Sequence, residues 1–153
     1  MKLKTYITSE QSDEVRVALK AIARKAIFNT LIYEGFEYDT EISLSFVDND
    51  RIRELNKEYR NKDSITDVLS FPQYDNFNDV ITPNAFVPLG DIVISLERAR
   101  EQGYNLYHSV YHEVAFLCVH STLHLLGYDH ENSREEEKEM IQKQKDIMEI
   151  IGF

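Results

Sequence analysis

Three of the five histidines, His120, His124 and His130, follow a spacing that brings nitrogen donors together: His120-x3-His124-x2-Gly127-x2-His130. Residues four apart on an α-helix leave the same face one turn apart, so His120 and His124 can converge on one ion. Gly127 enters the left-handed backbone region at little steric cost, which ends the helix and lets the chain carry His130 back toward the first two ligands. Neutral imidazole is a good donor to zinc, and three protein ligands leave a fourth position open to water. One catalytic zinc ion per chain, held by His120, His124 and His130, is therefore expected.

The same counting separates these residues from their neighbours. His112 precedes His120 by eight residues, which rotates a helix by about 800°, roughly 80° past whole turns, and shifts it about 12 Å along the axis. His108 and His112 are thus expected to pack or hydrogen-bond rather than join the same ion. Cys118 is the only cysteine, so no disulfide can form within the chain and no thiolate cluster can hold metal; a buried apolar role is expected for it. The histidine spacing also resembles the long zinc motif of metzincin proteases. Ser121 occupies the position of their glutamate base, and a hydroxyl does not replace a carboxylate in that role, so peptidase chemistry is disfavoured.

Several elements must position the histidines. The run His108–Leu126 contains the apolar stretch Val114–Val119 and is too long for a strand, which predicts a central helix covered on most sides. Residues 2–7, 41–47, 67–71 and 89–95 read as strands. In the second, Ile42, Leu44 and Phe46 point one way and Ser43 and Ser45 the other. Ser12 is expected to cap a helix running to about Leu31 with Val15, Ala18, Leu19, Ile22, Ala26 and Ile27 on its apolar face. Asp48 or Asn49 starts another helix through Ile52, Leu55 and Tyr59, and a further helix lies around residues 96–103. Ser133 and Glu136 match a capping box ahead of the stripe Met140, Gln144, Ile147 and Ile151. Residues 73–88 hold Asn, Asp and Pro without a period and form the expected mobile edge of a substrate cleft. The resulting expectation is an α/β fold of α+β character, with residues 1–153 forming one domain in which several helices pack a small mixed sheet.

The composition supports that scale. The chain has 153 residues, 42% of them apolar, enough for one hydrophobic core. The N-terminal segment lacks the apolar stretch of a secretory signal, and no window approaches the roughly 20 apolar residues of a membrane span. A cytoplasmic location and no membrane partner are expected. A net charge of −10 opposes diffuse attraction to nucleic acid. The segment from Arg51 to Lys62 nevertheless concentrates Arg51, Arg53, Lys57, Arg60 and Lys62 against Glu54 and Glu58, so a local anion-binding surface remains open.

The segments Leu55-Asn56, Tyr59–Asp63, Thr66–Pro72, Leu89–Ser95 and His120–His130, taken together, resemble the YbeY family of bacterial endoribonucleases over nearly the whole chain. The resemblance implies that His120, His124 and His130 bind zinc and that Arg60 belongs to the functional surface. It also implies single-strand-specific RNA cleavage in maturation of the 16S ribosomal RNA 3′ end, and a part in ribosome quality control. The implied partners are single-stranded ribosomal RNA and the small ribosomal subunit or its assembly factors, with no role for DNA. Family members often carry glycine directly after the first metal-binding histidine; Ser121 departs from that pattern, which puts close helix packing there in question.

On this reading Arg60 orients a phosphate oxygen through its planar donor fork and stabilises charge in the transition state, and Lys62 is a second phosphate-binding candidate. Asp129 adjoins His130 and suits either proton transfer, turn formation or support of an imidazole. Asp63, Asp67 and Asp91 are expected to organise strand ends or the cleft. Both zinc-bound water and the RNA 2′-hydroxyl suit the role of nucleophile. Two alternatives stay open: a ribosome-associated RNA- or protein-binding module with a structural zinc, and a metallopeptidase.

Overall fold

Alternating apolar and small polar side chains give β2 (Thr40–Val47) one buried face, with Ile42, Leu44 and Phe46 almost inaccessible to solvent. The computed structural model describes residues 1–75, 85–129 and 133–153. Among them, β2 is joined by β1 (Leu3–Ser9), β3 (Val68–Pro72) and β4 (Val87–Ser95) in the sheet order β1-β2-β4-β3. The first three neighbours in that order run parallel and β3 pairs antiparallel with β4. This is the expected small mixed sheet in a single α+β domain.

Five helices complete the described residues: α1 (Val17–Tyr33), α2 (Asn49–Arg60), α3 (Leu96–Asn105), α4 (Val110–Leu125) and α5 (Arg134–Ile150). The main core lies between one sheet face and α1, α3, α4 and α5, where Ile27, Leu31, Leu44, Phe46, Ile92, Leu96 and Leu123 are fully buried. A smaller cluster of Val47, Ile52, Leu69 and Val93 seats α2. The covered central helix expected around residues 108–126 is α4, which packs against α1, α3, α5, β3 and β4. Among the described residues no helix is long and apolar enough to cross a membrane.

The caps account for where most helices begin. Asp48 Oδ1 accepts from Arg51 N at 2.8 Å, Ser95 Oγ from Arg98 N at 3.1 Å and Ser133 Oγ from Glu136 N at 3.1 Å. The stripe Met140, Gln144, Ile147 and Ile151 is buried as its spacing requires. The first helix differs from its expectation. It starts at Val17, and its N-cap residue Arg16 makes no side-chain cap. Upstream, the Gln11 side chain accepts from Asp13 N at 2.8 Å and donates to Ser9 Oγ at 2.8 Å, so polar side chains satisfy the chain in a local turn instead of a helix. Val15 consequently precedes the helix, Ala18 is exposed, and Ala23 takes its place on the buried face.

The expected connection over residues 73–88 is shorter at its far end, because β4 begins at Val87, opposite Thr40; residues 76–84 of it lie outside the described residues. Gly90 brings the sheet and α4 together. Its φ is +149°, and a Cβ there would overlap the Phe71 carbonyl and press on the Leu125 side chain. We expect Gly90→Ala to lower unfolding free energy by about 2 kcal/mol or more, measured by urea denaturation, because backbone strain and a backbone clash act at one position.

Candidate active site

Two turns of α4 carry His120 and His124 to the cleft, and each ring is held by the nitrogen that faces away from its neighbour. His120 Nδ1 donates to Gln144 Oε1 at 3.1 Å, while the Gln144 amide nitrogen donates to Met140 O at 3.2 Å and so fixes which end of the amide faces the ring. His124 Nδ1 donates to the Tyr128 carbonyl at 2.6 Å. With both protons on Nδ1, both Nε2 atoms present lone pairs, and these face each other at 3.0 Å. Two convergent imidazole lone pairs, each oriented by an oxygen acceptor on its far side, could supply part of the donor set of a divalent metal.

The turn after α4 takes the form anticipated for it. Gly127 has φ of +103°, and Tyr128 N donates to Leu123 O at 3.1 Å. That closure puts the Tyr128 carbonyl under His124. His130 lies outside the described residues.

Arg60 enters the same cleft from the last turn of α2. Asn61 takes a left-handed conformation with φ of +56°, Lys62 N closes on Asn56 O at 3.2 Å, and the buried Asn56 amide donates to Ser64 O at 2.9 Å. The chain after α2 is thereby tied back, and Arg60 Nη2 donates to Ser70 O on β3 at 2.8 Å. Ser70 Oγ in turn donates to Ser121 Oγ at 2.9 Å. Ser121 is fully buried, so its hydroxymethyl group is accommodated by a hydrogen bond across the β3–α4 contact. The cleft, about 510 Å³, is lined by Arg60, Asp67, Tyr74, His120, His124 and Asp129 among others.

The remaining candidates separate. Lys62 is exposed and is not among the described residues lining the cleft. Asp63 pairs with Arg53 at 2.8 Å, and that hydrogen bond and charge hold its carboxyl below the usual range. Asp67 lines the cleft and accepts from Gln102 at 3.3 Å, whereas Asp91 is exposed on β4. Arg51 pairs with Glu54 at 3.1 Å, so two of the basic residues near Arg60 already face carboxylates. Cys118 is buried, and burial pushes its thiol up to about 12, consistent with a packing role.

The family model for Endoribonuclease YbeY matches residues 6–152. The chain belongs to the YbeY endoribonuclease family. Relatives named Endoribonuclease YbeY from Caldanaerobacter subterraneus and Clostridioides difficile are 46% and 48% identical, covering 99% and 96% of this chain and of their own. The Bacillus cereus relative of the same name is 42% identical over 94% of each chain. A Thermotoga maritima protein with a known solution structure matches 97% of this chain and 89% of its own, with a TM-score of 0.63 and 27% identity.

Within this YbeY fold, two supports of the histidine pair escaped the sequence reading. Gln144 was visible only as a member of the buried stripe of α5, and a backbone carbonyl such as that of Tyr128 has no sequence signal. A second group missed by spacing is Glu113, whose carboxylate could hold a metal together with His108 and His112; of the two histidines, His108 has the hydrogen bond expected of it, to Glu113 at 3.2 Å. A further brace lies behind the turn: Lys143 Nζ donates to Glu34 Oε2 at 2.7 Å and sits 5.1 Å from the Tyr128 ring centre. Burial alone would lower the Lys143 ammonium, but its hydrogen bonds to Glu34 and Tyr128 outweigh that and raise it. Lys143→Met is expected to cost about 1–2 kcal/mol in urea denaturation, since partial solvent access tempers the penalty of stranding the Glu34 carboxylate. Adding Glu34→Gln should recover part of that loss.

Proposed function

We propose that this chain is a single-strand-specific endoribonuclease that acts on ribosomal RNA in maturation of the 16S 3′ end and in ribosome quality control. The observation that carries the reading is the pair of Nε2 atoms at 3.0 Å in the cleft that Arg60 also lines. Membership of the YbeY family supports the RNA substrate. Single-stranded ribosomal RNA, presented by the small subunit or its assembly factors in the cytoplasm, is the proposed partner.

His120 and His124, with His130 as third ligand, would hold one zinc ion. When bound, zinc supplies Lewis acidity, lowering the pKa of water toward about 7 and drawing charge from a phosphoryl oxygen. Gln144 and the Tyr128 carbonyl keep both rings in the ligating tautomer. Arg60 is held at one guanidinium nitrogen by the Ser70 carbonyl, which leaves other donors of its fork for a phosphate oxygen and for the negative charge that grows as the phosphodiester reacts. Lys62, exposed beyond the end of α2, extends phosphate contact along the strand.

Purified wild type should cleave a defined 16S ribosomal RNA precursor, with metal content and circular dichroism measured on the same samples. His124→Ala is expected to reduce cleavage to background, and Arg60→Ala to slow it by about 100-fold or more. Wild-type cleavage by a folded, metal-free His120→Ala/His124→Ala variant would sink the proposal, and RNA binding without turnover would favour a binding module. Gln144→Leu should weaken zinc binding by roughly 10–100-fold in competition with a chelator, while the protein stays folded.

A further inference from the structure

We propose that His108, His112 and Glu113 form a second divalent-metal site, for an ion of the zinc class, at the start of α4. Glu113 Oε1 lies 3.2 Å from His108 Nδ1 and 3.8 Å from His112 Nδ1. All three donor atoms fall within 4.8 Å of one another. Donors on a tetrahedral ion with bonds of about 2.0–2.1 Å stand roughly 3.4 Å apart, so the observed separations bracket the required one. His112 and His120 are eight residues apart on one helix, about 12 Å along its axis, which separates this group from the histidine pair in the cleft.

Two features mark the group as more than a surface contact. Glu113 is only 5% exposed, an unusual place for a carboxylate. His112 Nδ1 is fully shielded and has no hydrogen-bond partner among the described residues. The His108–Glu113 hydrogen bond therefore satisfies one imidazole and leaves the other facing a carboxylate without a bond, a costly state that a shared cation relieves. Burial, and then the neighbouring His108 ring, lower the His112 imidazole below its ordinary range.

The surroundings hold the donors in place. Ser109 Oγ accepts from His112 N at 3.1 Å and fixes the first turn of α4. His108 N donates to Gly103 O at 2.8 Å, and a Cβ on Gly103 would stand 2.9 Å from His108 O and 3.3 Å from Glu113 Cγ, so glycine permits the close approach of α3. The Phe153 ring meets the His112 ring edge-on at 5.2 Å. The His108 side chain is 43% exposed, which leaves an entry path and room for water as a further ligand. The positive end of the α4 dipole disfavours a cation here, and the Glu113 carboxylate offsets it. Two imidazoles and one carboxylate suit zinc, cobalt or nickel over calcium and magnesium, which prefer all-oxygen shells. An ion bound there would clamp the turn between α3 and α4 to the helix that carries His120 and His124.

The test uses the full chain stripped of metal and titrated with zinc by calorimetry and with cobalt by visible absorption. The His120→Ala/His124→Ala variant, confirmed folded by circular dichroism, should still take up one equivalent of zinc. Adding Glu113→Gln should weaken that uptake by about 100-fold or more, at or above the largest effect of losing a supporting group at a metal site. His108→Ala, an exposed position that folding tolerates, provides the same comparison in the otherwise wild-type chain, where it should remove one equivalent and leave the His124-sensitive equivalent intact. A folded double variant that binds no zinc, or uptake unchanged by His108→Ala and Glu113→Gln, would overturn the second site. Absence of the His124-sensitive equivalent from the otherwise wild-type chain would count against the catalytic reading and leave this one standing.

Discussion

Each imidazole has two ring nitrogens, and the partner of one decides what the other can offer. On α4 the partners are oxygen acceptors on opposite sides: the Gln144 amide from α5 for His120, and the Tyr128 carbonyl from the turn after the helix for His124. Both rings are thereby committed to the same tautomer, and their Nε2 lone pairs must meet. These two Nε2 atoms, 3.0 Å apart, are the point on which the contacts around α4 converge. The helix beneath them packs against α1, α3, α5, β3 and β4, which fixes where the two rings stand. Gly127 gives Tyr128 its place, the buried stripe of α5 gives Gln144 its place, and Lys143 braces the turn against Glu34.

The second half of the site reaches this pair through the sheet. Arg60 leaves α2, on the far side of the small cluster around Ile52, yet its guanidinium is joined to α4 through only one residue. Ser70 accepts from Arg60 at its carbonyl and donates from its hydroxyl to Ser121, the neighbour of His120. Gly90 is what lets β3 and the end of α4 sit this close, since any side chain there would strike the Phe71 carbonyl and Leu125. The serine at position 121 therefore has a consequence beyond filling space: it converts a helix–strand packing contact into a hydrogen-bonded link between the arginine and the histidine pair.

Periodic features of the sequence translated directly into structure because burial enforces them. The alternation of β2 and the four-residue stripe of α5 each bury one face that a shift in register would expose, and the apolar run of α4 is buried on most sides. Local chemistry was legible where one side chain serves one backbone group, as at Asp48, Ser95 and Ser133, and was misread at Ser12, where Gln11 offered Asp13 a competing partner. In the site, the pair of histidines was legible from helical geometry alone. Gln144 was not, because its position in an apolar stripe hides a polar role, and Tyr128 acts through a backbone atom common to all residues. Glu113 was obscured for a related reason: helical counting from His120 excludes His108 and His112 from one ion, but it says nothing of a buried carboxylate adjacent to them.

Electrostatics sets how such a chain can meet a polyanion. Its net charge of −10 opposes long-range attraction, and Arg51 and Arg53, which a linear reading places beside Arg60, have carboxylates within ion-pair distance. Arg51 and Arg53 are thereby engaged beside the cleft, which weakens any basic rim next to Arg60. On the proposed reading, positive character is concentrated at the Arg60 fork and at an ion that His120 and His124 would hold. A folded duplex, which presents many phosphates to a wide surface, has little to gain from such a cleft. On the same reading, a single strand that can bend one phosphodiester into about 510 Å³ would gain most of what the site offers. His120, His124 and Arg60 would then, on the proposed reading, serve selection as well as chemistry, because the cleft that would receive a phosphate also holds the groups that would act on it.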